Sequence, residues 1–436
     1  MNERFAELLG LFAVTLAVVF LAFVGGILAG VFKVFPYPPI EAAVIEAAQA
    51  LRANDEAGRL HFMYRKRNSD VGVTVSDASL IMPGVTLVTG MWFEDSQWRP
   101  AARLIDIDGN VLNEWQVHPE LIWPESPHND FAKGTHNTPT SYLHGIALLP
   151  GGDIVFNIEY LGLVRLNPCG AVVWKLPYRT HHSIALDDAG NIWAAGTVWR
   201  EQAVEQYVGI RAPFVDETMV QVSPDGELLQ EIFILKSLYE GGYQGTLRQS
   251  HKTLDFTHLN DVDVLTAEMA GAFPMFATGD LLVSLRNLNL VVVVDGTTHA
   301  VKWHFSHPLI RQHDPDFEPD GSIVIFDNND DTTRTGEYWG HSRIIQVNPA
   351  TNAWRVLYPT AADQPLYTQE GGKHELLANG NRLIIEANAG RVFEVTPAGE
   401  TVWNWVIESE DAEFLPEVLS ASRYPTDYAA AASCSR

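Results

Sequence analysis

The stretch RLNPCGAVVW, residues 165–174, decides the fold, because the chain repeats its pattern. A short apolar strand runs into Asn-Pro, a turn follows, and a second strand ends in Trp. The same pattern returns as QVSPDGELLQ (221–230), QVNPATNAW (346–354) and EVTPAGETVW (394–403), and more loosely as LIDIDGNVLNEW (104–115) and VVVDGTTHAVKW (292–303). Each copy is a hairpin. Apolar and β-branched residues alternate, and Pro, Asp, Asn and Gly supply the turn.

A second hairpin type alternates with the first. Its copies are LIMPGVTLVTG (80–90), IALLPGGDIVFN (146–157), IALDDAGNIWAAG (184–196), a longer copy over 262–287, DFEPDGSIVIFDN (316–328) and HELLANGNRLIIEAN (374–388). Two hairpins make a four-stranded antiparallel unit, and six such units recur at about 58 residues each. Radial repetition of four-stranded sheets protects their edges, so the expected fold is all-β, a six-bladed β-propeller. A solenoid or a sandwich leaves the two alternating hairpin types unexplained.

The propeller is not the whole chain of 436 residues. Residues 8–32, LLGLFAVTLAVVFLAFVGGILAGVF, carry no charge and exceed the roughly 30 Å of a bilayer core at about 1.5 Å per residue. This is longer than the apolar region of a cleaved signal peptide. The expected organisation is a transmembrane anchor over 1–33, a partly helical connector over 34–78, the propeller over 79–410 and a C-terminal extension over 411–436. Charges flanking the span, Arg4, Glu3, Glu7 and Lys33, give a weak orientation signal. A large domain after one N-terminal span is expected on the periplasmic or other extracytoplasmic side. The net charge of −25 excludes nucleic acid, which needs clustered cations. Cys434 lies in the last three residues, so no structural disulfide with Cys169 is expected, and neither cysteine has zinc or redox spacing.

Histidines mark the second hairpin type. His144, His182, His258, His313 and His374 stand at the start of five of the six copies, and the MPG copy has none. Equivalent strands of a propeller point equivalent residues at one axis, so these five imidazoles are expected to converge near one end of the channel. Asn260 follows His258 by two residues and shares its strand face. Arg286 and Asn287 end the same hairpin, and Asp327-Asn328-Asn329 closes the one that His313 opens, as a turn or with Asn328 facing the site. Arginine, amides and imidazoles around a cavity suit a tetrahedral oxyanion such as sulfate or phosphate. A ring of imidazoles with Asp261, Asp314 and Asp316 nearby also suits a metal.

The soluble part resembles the arylsulfate sulfotransferases that do not use a nucleotide sulfate donor. FTHLNDVD (256–263), SLRN (284–287), RQHDPDFEPDGSIVIFDN (311–328), KHELLANGNRLII (373–385) and ASRYPTDY (421–428) carry the resemblance, in order along the blades. It implies a six-bladed propeller, with His313 as the nucleophile that becomes transiently sulfated. It also implies His258 and Asn260 as a supporting pair, Arg286 as the sulfuryl-binding arginine and, as a further catalytic histidine, His182, with His181 and His144 competing for that place. His144, His374, Asn287 and Asn328 are the expected substrate-binding residues. No cofactor and no metal is expected, and the partners are an aryl sulfate and a phenolic acceptor. The implied reaction is ping-pong through sulfohistidine, with a protonated histidine as acid for the leaving phenolate. Only about 45 residues separate the span from the blades, so the N-terminal β-domain that some members carry is not expected here. Two other readings stand beside it: a propeller kept as a scaffold or docking subunit of a membrane complex, which the anchor favours, and a metal-dependent hydrolase or lactonase propeller.

Overall fold

The computed structural model describes residues 3–32, 60–67, 71–75, 77–125, 127–128, 142–250, 254–333, 335–361 and 364–434. The chain divides into two units, Met1–His61 and Phe62–Arg436. In the first, one helix runs over Glu3–Phe32, and its window Leu11–Leu28 is long and apolar enough to cross a membrane. Nearly all the apolar side chains of that window are exposed. The helix expected over residues 35–53 of the connector lies outside the described residues.

The second unit is the six-bladed propeller. From axis to rim, the second blade runs Ile146–Leu148, Ile154–Ile158, Gly162–Leu166 and Val172–Leu176. The third begins on Thr180–Leu186, the fourth on Leu259–Val264, the fifth on His313–Phe317 and the sixth on Lys373–Leu376, each with three further antiparallel strands in sequence order. The second-type hairpin therefore joins the two inner strands of a blade, and the first type joins the two outer ones.

The first blade departs from this pattern. Residues 80–84 do not form a strand, so LIMPGVTLVTG is not a hairpin. The innermost strand of this blade is Ala421–Tyr424, from the far end of the chain, paired with Val85–Glu94. Gly84 lies so close to Tyr424 that a Cβ there would sit 2.4 Å from its carbonyl oxygen. A short strand, Gly72–Val75, adds a fifth strand to the rim of the sixth blade.

The repeated residues of RLNPCGAVVW hold the ring together. Asn167 Oδ1 accepts the amides of Cys169 and Ala171 (3.0 and 2.9 Å), and Asp106 and Ser223 cap the equivalent turns in the same way. In four blades the Trp that ends the hairpin donates its indole N–H to the equivalent turn of the next blade. Trp115 reaches Asn167 O, Trp174 reaches Pro224 O and Trp303 reaches Asn352 Oδ1; Trp403 of the last blade reaches Ile107 O of the first. A short repeat thus encodes the curvature of the ring as well as its blades. Between blades the core is apolar, as where Val283 and Val292 of the fourth blade join Met219 and Ile232 of the third in one buried cluster.

Contrary to the expectation from sequence, Cys169 and Cys434 form a disulfide. The C-terminal segment is not free. Tyr424 Oη accepts the Leu148 amide at 3.0 Å, and Ala432 is buried among Leu148, Leu166 and their neighbours. This docking onto the second blade brings the last residues to the turn that holds Cys169.

Candidate active site

The inner strands begin around one cavity of about 170 Å³. His144, His182, His258, Asn260, Arg286 and His313 all face it. Ring centroids of His144 and His182 are 4.6 Å apart, and those of His182 and His258 are 5.0 Å apart. β-Bulges interrupt the inner strands of the third, fourth and fifth blades at His181/Ile184, Leu259/Asp261 and His313/Asp316. His182 and His258 have φ of 54° and 48°, left-handed values that side chains rarely adopt and that cluster at working sites. Gly145 makes room for this path: a Cβ there would lie 2.3 Å from the His182 carbonyl oxygen.

His313 is 6% exposed and has one defined tautomer. Its Nδ1 lies 2.6 Å from Asn328 Oδ1, while Asn328 Nδ2 donates to the carbonyls of Thr368 and Gly371. An amide oxygen only accepts, so His313 carries its proton on Nδ1 and its lone pair on Nε2. Burial, then the Arg286 guanidinium, holds His313 well below the usual histidine range, so the ring is neutral at pH 7.

His258 is set by a carboxylate. Asp255 Oδ2 lies 2.5 Å from its Nδ1 and Asp255 Oδ1 accepts its backbone amide at 2.9 Å, leaving His258 Nε2 buried without a partner. Asn260 Nδ2 donates to Gln312 O at 2.8 Å, and its Oδ1 has no partner. Arg286 has a buried Nε without a partner, and its nearest carboxylate oxygen, on Glu370, is 3.9 Å away. Lys373 adds a second cation, 3.0 Å from Asp314 and 3.8 Å from Asp261. An under-neutralised guanidinium beside neutral imidazoles suits a compact anion.

Three expected residues lie off the cavity. Asn328 stands behind His313. Asn287 donates to the Asp255 carbonyl at 2.9 Å. His374 points away, with Nδ1 against Arg382 (3.1 Å) and Asp316 (3.2 Å). The inner strand of the sixth blade pairs without a bulge, so Lys373 takes the cavity face and His374 the opposite one.

Residues the sequence reading passed over complete the wall: Tyr142, stacked on His144 at 5.3 Å, and the carboxyls of Glu159, Glu370 and Glu417. Glu159 and Arg286 occupy equivalent places, each following the second strand of its blade, and each backbone amide reaches back to the start of the hairpin (Tyr142 O and His258 O, both 3.0 Å). That equivalence was available in the sequence. Glu417 precedes the inner strand that closes the first blade, where the second to fifth blades place histidine. Burial pushes Glu159 up to about 7, Glu417 to about 8 and Asp261 to about 8, and pushes His144 and His181 down to about 3.

Among the described residues, imidazole and carboxylate donors converge in two places, His144 with Glu159 and His182, and Asp314 with Asp316 and His374. Neither is assigned as a metal centre. Arg286 stands beside the first, and the Lys373 ammonium already neutralises Asp314 in the second.

A family model described as Arylsulfotransferase (ASST) matches residues 145–408. No curated protein matches the chain. Among solved structures, the chain is similar to a protein of unknown function from Bacteroides caccae (13% identity, 76% of this chain and 97% of that one, TM-score 0.47). It is also similar to virginiamycin B lyase from Staphylococcus aureus (12%, 63% and 73%, 0.36) and to the WD40 domain of Neurospora crassa Pan2 (10%, 80% and 88%, 0.39).

Proposed function

The chain belongs to the arylsulfotransferase family, and from that membership we propose that it moves a sulfuryl group from an aryl sulfate to a phenolic acceptor through sulfohistidine at His313. The lone pair fixed on Nε2 of a neutral, buried ring carries the reading. In the first half, Nε2 attacks sulfur and the S–O bond to the aryl group breaks. In the second, a phenolic oxygen attacks the same sulfur and His313 is restored. Splitting the transfer in two lowers each barrier. Arg286, with an unpartnered buried Nε, faces the place where charge develops on the sulfuryl oxygens, and a fixed donor in a dry site acts strongly there; His258 and Asn260 line the same wall.

The protein is anchored by residues 8–32 with the propeller on the extracytoplasmic side. The Cys169–Cys434 disulfide supports that placement, since such bonds persist in oxidising compartments. Incubation with a chromogenic aryl sulfate and a phenol tests the reaction: the wild type releases the chromophore and His313→Ala does not. Inactivity of the wild type across several donors and acceptors favours the docking-subunit reading instead.

A further inference from the structure

Sulfuryl transfer, on the reading above, needs a group that holds the aryl oxygen's proton between the two halves. A protonated histidine does not meet that need. Burial lowers the affinity for protons of His144, His181, His182, His258 and His313 alike, so these rings are neutral at pH 7. The cavity carboxyls are the alternative, and most are engaged. Asp261 faces Lys373, and Glu417 is bonded to Tyr142 and lies 3.5 Å from Asn388 Nδ2.

Glu159 differs. Its side chain is 18% exposed on the cavity wall, and its Oε1 lies 3.8 Å from His144 Nδ1, which is buried without a partner. That distance is too long for a direct hydrogen bond and admits an oxygen atom bonded to both. A ring nitrogen of His182 closes the set, with all three atoms within 4.8 Å of one another.

We infer that Glu159 is the acid–base residue of the transfer, with His144 and His182 completing a berth for the aryl oxygen. As His313 Nε2 bonds to sulfur and the S–O bond breaks, the electron pair passes to the aryl oxygen, which takes the proton of the Glu159 carboxyl. The carboxylate then waits through the sulfohistidine stage. The incoming phenol gives it the proton, its oxygen bonds to sulfur, and the N–S electron pair returns to Nε2. The groups facing Glu159 fit both states. Burial and the Glu370 carboxylate favour the protonated form, and the Arg286 guanidinium favours the ionised form. Together they poise the group near neutrality, where an acid–base catalyst works best.

The test compares Glu159→Gln with the wild type in single-turnover phenol release from two donors. Para-nitrophenolate leaves readily without a proton; phenolate does not. The variant is expected to slow release from phenyl sulfate by roughly 100-fold, and from para-nitrophenyl sulfate by less than about 10-fold. With phenyl sulfate the wild type is expected to lose rate at alkaline pH, and the variant is expected not to. Equal slowing with both donors, or no slowing with either, overturns the assignment while leaving the sulfotransferase reading intact. A stoichiometric divalent metal that is lost on Glu159→Gln also overturns it. A wild type inactive on both donors overturns the two readings together.

Discussion

His313 Nδ1 and Asn328 Oδ1 lie 2.6 Å apart, and the other end of the Asn328 amide is held by two backbone carbonyls. The amide cannot turn without leaving those carbonyls unpaired, so it fixes the imidazole tautomer. Asn328→Asp puts a carboxylate in the same place. A nearby negative charge favours imidazolium, so the pKa of His313 rises by roughly one unit. The acid limb of kcat/KM for the donor is predicted to move to higher pH by that amount; an unmoved limb contradicts the tautomer argument.

Arg286 presents a buried, unpartnered Nε to the site. If it stabilises charge that grows during transfer, Arg286→Ala lowers kcat by roughly 100- to 1,000-fold. Arg286→Lys restores only part of the loss, because an ammonium lacks the planar fork. Steady-state kinetics decide this: a change confined to KM assigns Arg286 to binding alone.

Stability is predicted to peak in mildly acidic solution. His144 and His181 bind protons near pH 6.5 when unfolded but only near 3 when folded, so stability falls as pH drops below about 6.5. Glu159 and Glu417 lose protons near pH 4.5 when unfolded but only near 7 and 8 when folded, so stability falls as pH rises above about 4.5 and on through those values. The two trends oppose each other between about 4.5 and 6.5, and each acts unopposed outside that window. Thermal melts across pH check it, and a Tm still rising at pH 8 counts against these buried groups.

The disulfide closes a sequence separation of 265 residues and ties down the segment that supplies the last inner strand. Cys434→Ser is predicted to lower stability by about 2–4 kcal/mol, measured by denaturant unfolding of the oxidised wild type and the variant. Equal stability of the two makes the bond incidental to ring closure.

The propeller was legible because one short stretch encodes both a turn and a contact. Asn167 caps its own turn and receives the indole of Trp115, so a repeat in sequence becomes a repeat in space. Ring closure by Ala421–Tyr424 was not legible, since that pairing spans the whole domain and leaves no local pattern. The same closure explains why the first hairpin lacked a histidine: its inner strand lies elsewhere, with Glu417 at the corresponding place. His374 failed to reach the cavity for a different reason. Bulges shift the inner strands of the third to fifth blades, and the sixth has none, so an equivalent sequence position faces the other way. Cys434 looked free only because a terminus was assumed to be undocked.

The central claim is a covalent sulfuryl intermediate on His313. The direct measurement is mass spectrometry of the enzyme quenched at alkaline pH during turnover of an aryl sulfate without acceptor, with the modified peptide sequenced. The account predicts one added sulfuryl group on the peptide containing His313, discharged by a phenol and absent from His313→Ala. Phenol release with no adduct, or an adduct on another residue that persists in His313→Ala, contradicts it.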